Sequence, residues 1–140
     1  TRAIDYDVIP TGIFTLPEIG RVGLTEQQAR DRCVATGKDP QQAVRVGRFR
    51  YGGLGKAQAT GDIQGLLKVV ADAESDRILG VHMIGPRVSE LISEAVVAME
   101  FVGAAEDLAR IVHAHPTLSE AVMEAAEAVH KMAVHIFQRK

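Results

Sequence analysis

Apolar and polar positions divide this chain into two halves with different periods. Up to residue 84 the apolar residues come in short β-branched or alternating runs; beyond it they recur at helical spacing. Residues 8–15 (VIPTGIFT) and 19–24 (IGRVGL) predict two strands separated by the break at Pro17. Thr25-Glu26-Gln27-Gln28 matches a capping box and opens a short helix running to about Cys33, with a loop over residues 37–40. Residues 43–51 (AVRVGRFRY) alternate apolar and basic side chains, as a half-buried strand does, and Gly52-Gly53-Leu54-Gly55 then breaks the chain. Residues 65–73 and 77–84 flank the polar Glu74-Ser75-Asp76 turn and predict a hairpin.

From Gly85-Pro86 a helix carries Val88, Leu91, Ile92, Ala95, Val96 and Met99 on one stripe. Val97 and Phe101 add a second apolar edge, predicting burial on more than one side. A short helix over residues 106–111 follows Gly103. Thr117-Leu118-Ser119-Glu120 is a second capping box, opening a long terminal helix whose stripe runs from Leu118 through Val129, Met132 and Ala133 to Ile136. Strands first and helices afterwards indicate an α+β domain with an antiparallel β-sheet flanked by α-helices.

A chain of 140 residues has room for one domain, and no repeat or low-complexity linker divides it. Sixteen Lys and Arg against 18 Asp and Glu leave no basic footprint, so neither nucleic acid nor a membrane is an expected partner. No apolar run is long enough for a membrane span, and the N-terminus lacks a signal-peptide layout. Cys33 alone permits no disulfide framework and no dithiol redox centre, which fits a reducing, cytoplasmic setting.

Several motifs invite chemistry. The glycine cluster before Lys56 has Arg50 and Ala57 where a phosphate loop needs Gly and Ser or Thr, and it reads as a turn. Glu127 and His130 have di-iron Glu-x-x-His spacing without a second pair, and read as a solvated helix face. His82 is expected on the strand face opposite Val81 and Met83, and His135 in solvent. No metal site is expected, because His113-x-His115 has no identifiable third ligand.

The segment His113-Ala114-His115-Pro116-Thr117-Leu118-Ser119-Glu120 carries the most. Glu120 suffices as a cap, reaching back to the Thr117 N–H. It also lies about one turn beyond His115, where a carboxylate fixes the tautomer and favours the protonated imidazole, preparing an acid/base. The readings are compatible, since a glutamate has two oxygens.

That string, with Ala121, resembles the C-terminal signature of dihydrolipoamide dehydrogenases, class I pyridine nucleotide-disulfide oxidoreductases. Ile9-Pro10-Thr11-Gly12-Ile13-Phe14-Thr15-Leu16-Pro17-Glu18 with Val22-Gly23 resembles the opening strands of their dimerisation (interface) domain. Gly61-Asp62 through Gly65, Asp76-Arg77-Ile78-Leu79-Gly80-Val81-His82 and Ile84-Gly85-Pro86 look like its central hairpin. Glu90-Leu91-Ile92 and Glu106-Asp107-Leu108-Ala109 fit its helices, so the likeness covers nearly the whole chain.

The resemblance implies the dimerisation-domain fold of FAD/NAD-linked reductases, over residues 1–140. It implies a homodimer in which His115 reaches into the partner's active site as base for a dihydrolipoyl thiol, held by Glu120. The backbone of His115 and Pro116, joined by a cis peptide, would lie near the partner's flavin. FAD and NAD would serve the whole enzyme, and a lipoyl-bearing protein of a 2-oxoacid dehydrogenase complex or the glycine cleavage system would be its substrate. The Cys-x4-Cys disulfide and both nucleotide-binding loops are missing from this sequence. The FAD and NAD domains are therefore expected to be absent, with no cofactor bound and no activity in the chain alone. Residues 130–140 match less clearly and are assigned no role. Two alternatives remain: the same domain of a glutathione or mercuric reductase, and a non-catalytic dimerisation module.

Overall fold

Five antiparallel strands form one sheet with the order β1-β2-β5-β4-β3 in the computed structural model, which describes residues 3–137. The ends, residues 1–2 and 138–140, lie outside the described residues. The strands are β1 (Thr11–Ile13), β2 (Glu18–Gly23), β3 (Val44–Arg50), β4 (Leu66–Asp72) and β5 (Ile78–Gly85). The helices are α1 (Glu26–Ala35), α2 (Pro40–Ala43), α3 (Gly55–Thr60), α4 (Val88–Glu100), α5 (Ala105–Arg110) and α6 (Glu120–Val129).

Register explains how the helices seat. Gly47, Val69, Val81 and Val22 stand opposite one another across four strands and share the inner face. That face is covered by α4 and α6, whose Val88, Ile92, Ala95, Ala121, Val122 and Ala125 are buried against it. A β-carbon on Gly20 would meet the Val88 carbonyl at 2.7 Å, and one on Gly47 would meet the Ala125 carbonyl at 2.0 Å. Bare backbone at these two positions lets α4 and α6 approach closely. Helix α1 covers one end of the outer face, packing Ala29 and Cys33 against Val44 and Val70. Its capping box is complete: Thr25 Oγ1 accepts the Gln28 N–H at 3.2 Å, while Gln28 Oε1 accepts the Thr25 N–H at 2.9 Å.

The α+β architecture, the hairpin and the core stripe of α4 agree with the sequence. Four expectations need correction. The first strand is only Thr11–Ile13, because residues 6–8 turn as a 3-10 helix capped by Asp5. The glycine cluster is the turn expected, but it runs straight into an unforeseen α3, and residue 40 begins α2 within what reads as loop. Val97 and Phe101 are 57% and 83% exposed, so the second edge of α4 is open in the single chain. The terminal helix stops at Val129 rather than extending to Ile136, since Lys131 enters the left-handed region (φ 59°). Ile136 still packs against the core after the chain turns back. No helix among the described residues is long and apolar enough to cross a membrane.

Candidate active site

The loop between α5 and α6 presents His115. Pro116 follows a cis peptide, and Glu120 opens α6. His115 Nδ1 lies 2.8 Å from Glu120 Oε1; a carboxylate only accepts, so Nδ1 carries the proton and donates. That tautomer leaves Nε2 as the basic nitrogen, and it makes no hydrogen bond among the described residues. The His115 side chain is 71% exposed, while that of Glu120 is 11% exposed.

Both readings of Glu120 are realised at once. Its Oε1 holds His115, and its Oε2 accepts the Thr117 N–H at 2.8 Å. The reciprocal half of the capping box is missing: Thr117 Oγ1 donates to the Ala114 carbonyl at 2.7 Å and meets Ser119 Oγ at 2.9 Å. The helix accordingly begins at Glu120, with Ser119 rather than Thr117 in the cap position. Burial pushes the Glu120 carboxyl up, but the Thr117 N–H, His115 and the nearby His135 outweigh it and hold the group below its ordinary value of 4.5.

A depressed carboxylate stabilises the folded state fully above pH 4.5, and that contribution is lost as pH falls through the lowered value. Glu120→Gln is therefore expected to lower the thermal midpoint most at neutral pH. The gap from wild type narrows as the buffer is taken below pH 4.5, as melts across a pH series will record. A gap independent of pH contradicts the charge-based account.

The other histidines are also engaged. His82 lies opposite Val81 and Met83 as expected; its Nε2 meets the Leu24 carbonyl at 2.9 Å, and burial pushes its pKa down. His113 is buried, with Nδ1 at 2.8 Å from the Ile111 carbonyl and Nε2 at 2.7 Å from Glu94 Oε1. Both its nitrogens are occupied, so it does not converge with His115 on a common ion.

The solvated-face reading of Glu127 and His130 is wrong. His130 Nε2 meets Asp76 Oδ2 at 3.1 Å with a side chain only 23% exposed, and Glu127 Oε2 is buried without a hydrogen-bond partner. Burial, with the charge of Glu124 beside it, pushes the Glu127 carboxyl up. His135 is half exposed as expected, but its Nδ1 contacts the buried Glu124, which sequence reasoning passed over. The available signal was the row of Glu120, Glu124 and Glu127 at helical spacing beside an alanine stripe.

Comparison with known proteins places this chain in a family. Residues 9–126 match the family described as the pyridine nucleotide-disulphide oxidoreductase dimerisation domain. The dihydrolipoyl dehydrogenase of Thermus scotoductus is 47% identical over 131 residues, covering 94% of this chain and 27% of that protein. The mitochondrial dihydrolipoyl dehydrogenase of Pisum sativum is 42% identical over 133 residues, covering 95% of this chain and 25% of that protein. The HOCl-induced flavoprotein disulfide reductase RclA from Escherichia coli matches with a TM-score of 0.74 at 26% identity, covering 85% of this chain and 26% of that one. The chain thus spans about a quarter of the length of the relatives it matches. With all five strands and most of α6 inside the matched span, the chain belongs to the dimerisation-domain family of the pyridine nucleotide-disulphide oxidoreductases.

Proposed function

We propose that this chain is the dimerisation domain of a dihydrolipoyl dehydrogenase and supplies His115 and Glu120 to the active site of a partner subunit. The observation that carries the reading is the outward-facing His115 imidazole, its tautomer set by a buried carboxylate. The same chain leaves open an apolar surface suited to a second copy: Val97, Phe101, Ile111 and Val112 are all more than half exposed.

The chemistry follows from that tautomer. A dihydrolipoyl thiol reacts as its thiolate, and Nε2 of His115 takes the thiol proton. Glu120 keeps Nδ1 donating and offsets the positive charge that the imidazole gains. When bound, FAD, together with a redox disulfide from another domain, would supply the two-electron acceptor for the thiolate, with NAD as the final acceptor. The chain's own donors suit the edge of such a group rather than its cradle: the His115 and Pro116 backbone lies in an exposed loop, and Pro116 has no N–H to offer. The nucleotide-binding parts and the redox disulfide belong to other domains of the enzyme, and the chain alone is inactive.

Assay of the intact flavoprotein that carries this domain tests the reading. It is expected to reduce NAD with dihydrolipoamide. Preference for glutathione disulfide or Hg(II) with a reduced nicotinamide would assign the domain to a sibling reductase instead. Activity unaffected by any change at His115 would leave only a dimerisation module.

A further inference from the structure

The segment after α6 has no part in the chemistry above, yet it is tied down by the most deeply buried acid among the described residues. Glu124 is 1% exposed. It stands four residues beyond Glu120, so the two carboxyls lie on one face of α6. Glu124 Oε2 accepts the N–H groups of Val134 at 3.0 Å and His135 at 3.3 Å, and Oε1 accepts the proton on His135 Nδ1. All three donors come from the returning segment.

Burying a carboxylate is costly, and an apolar side chain of similar volume stabilises a core at least as well. Such a group instead fixes where its donors sit. Here those donors connect to His115 through the glycine turn between them. The carbonyl of His135 lies 3.1 Å from where a β-carbon on Gly53 would stand, and His115 Cε1 lies 3.9 Å from the same point on Gly55. The glycine turn is therefore held by the returning segment at one end and faces the imidazole at the other. The charge of His135 is also among those that hold the Glu120 carboxyl low.

We infer that His135, clamped by Glu124, is a positioning residue for the His115–Glu120 pair, and that residues 130–137 form a strap fixing the glycine turn and the first turn of α6 around the imidazole. The inference rests on the reading of His115 as the group that takes the substrate proton. It assigns a role to a tail whose sequence suggests none. The strap touches neither thiol nor flavin; it acts by keeping Nε2 where a thiol can reach it.

The test compares two isosteres in the intact flavoprotein, following flavin reduction by dihydrolipoamide in a rapid-mixing instrument. In His135→Asn the amide nitrogen takes the place of Nδ1 and keeps the donor to Glu124. In His135→Gln it takes the place of Nε2 and loses that donor. Because His135 is half exposed, neither change opens a core cavity. His135→Gln is expected to slow reduction at saturating substrate roughly tenfold with little change in half-saturation, and His135→Asn to stay within about threefold of wild type. Equal rates in the two variants, normal or slow, overturn the inference, as does a fall in melting temperature alone. His115→Gln run in parallel separates the two levels. If it reduces flavin normally, the reading of His115 falls and the strap with it; if it is slow while His135→Gln is normal, only the strap falls.

Discussion

Replacing His115 with Gln in the intact flavoprotein is expected to slow flavin reduction by dihydrolipoamide by about 10²–10⁴-fold, the usual worth of a positioned acid/base. Gln fits the space and puts its amide nitrogen where Nε2 stands, so it gives up the Nδ1 donor to Glu120 and has no basic nitrogen to take a proton. The imidazole is 71% exposed, so the change opens no cavity, and flavin content and melting temperature are expected to stay near wild type. Loss of rate with the protein otherwise intact is the signature of a missing base. A rate within a few-fold of wild type contradicts the assignment.

The second large effect is structural, at Gly47. A β-carbon there would lie 2.0 Å from the Ala125 carbonyl oxygen and 2.5 Å from the Val129 nitrogen. These are backbone atoms of α6, held by the helix's own hydrogen bonds, and cannot rotate aside as a side chain can. To accept Gly47→Ala the whole helix must lift from the sheet, and overpacking of this kind costs roughly 3 kcal/mol or more. Because α6 carries Glu120 and Glu124, the lift also moves the carboxylate away from His115. Urea unfolding is expected to show a midpoint well below wild type, with flavin reduction impaired in whatever protein folds. A variant within about 0.5 kcal/mol of wild type would mean that α6 seats differently.

Much of this was legible in the residues. Two apolar runs around the polar Glu74-Ser75-Asp76 turn mark the central hairpin, and Thr25 with Gln28 marks the start of α1, because both depend on near neighbours. The same holds for His115 and Glu120, five positions apart across a loop. Local signals misled where a distant contact decided. Residues 43–51 look like simple alternation, yet Val44 faces α1 on one side of the sheet while Phe49 faces the main core on the other. The alanine stripe of α6 continues to Ile136 in sequence, but the chain leaves the helix at Val129 and turns back toward Glu124. Glu124 pairs eleven residues on, and His130 pairs with Asp76, 54 positions earlier; no spacing rule anticipates either. The open edge of α4 was misjudged for a related reason. An apolar stripe specifies that something will cover it, not that the same chain will.

The central claim is that His115 serves the active site of the partner subunit, and mixed dimers test it most directly. One subunit carries His115→Gln with its redox disulfide intact; the other keeps His115 but has its redox cysteines replaced. Each parent homodimer is inactive. If the histidine acts across the interface, each mixed dimer rebuilds one complete site, and random pairing is expected to restore roughly a quarter of wild-type dihydrolipoamide turnover. No recovery, with mixed dimers shown to have formed, would place His115 in the same subunit's site and contradict the account.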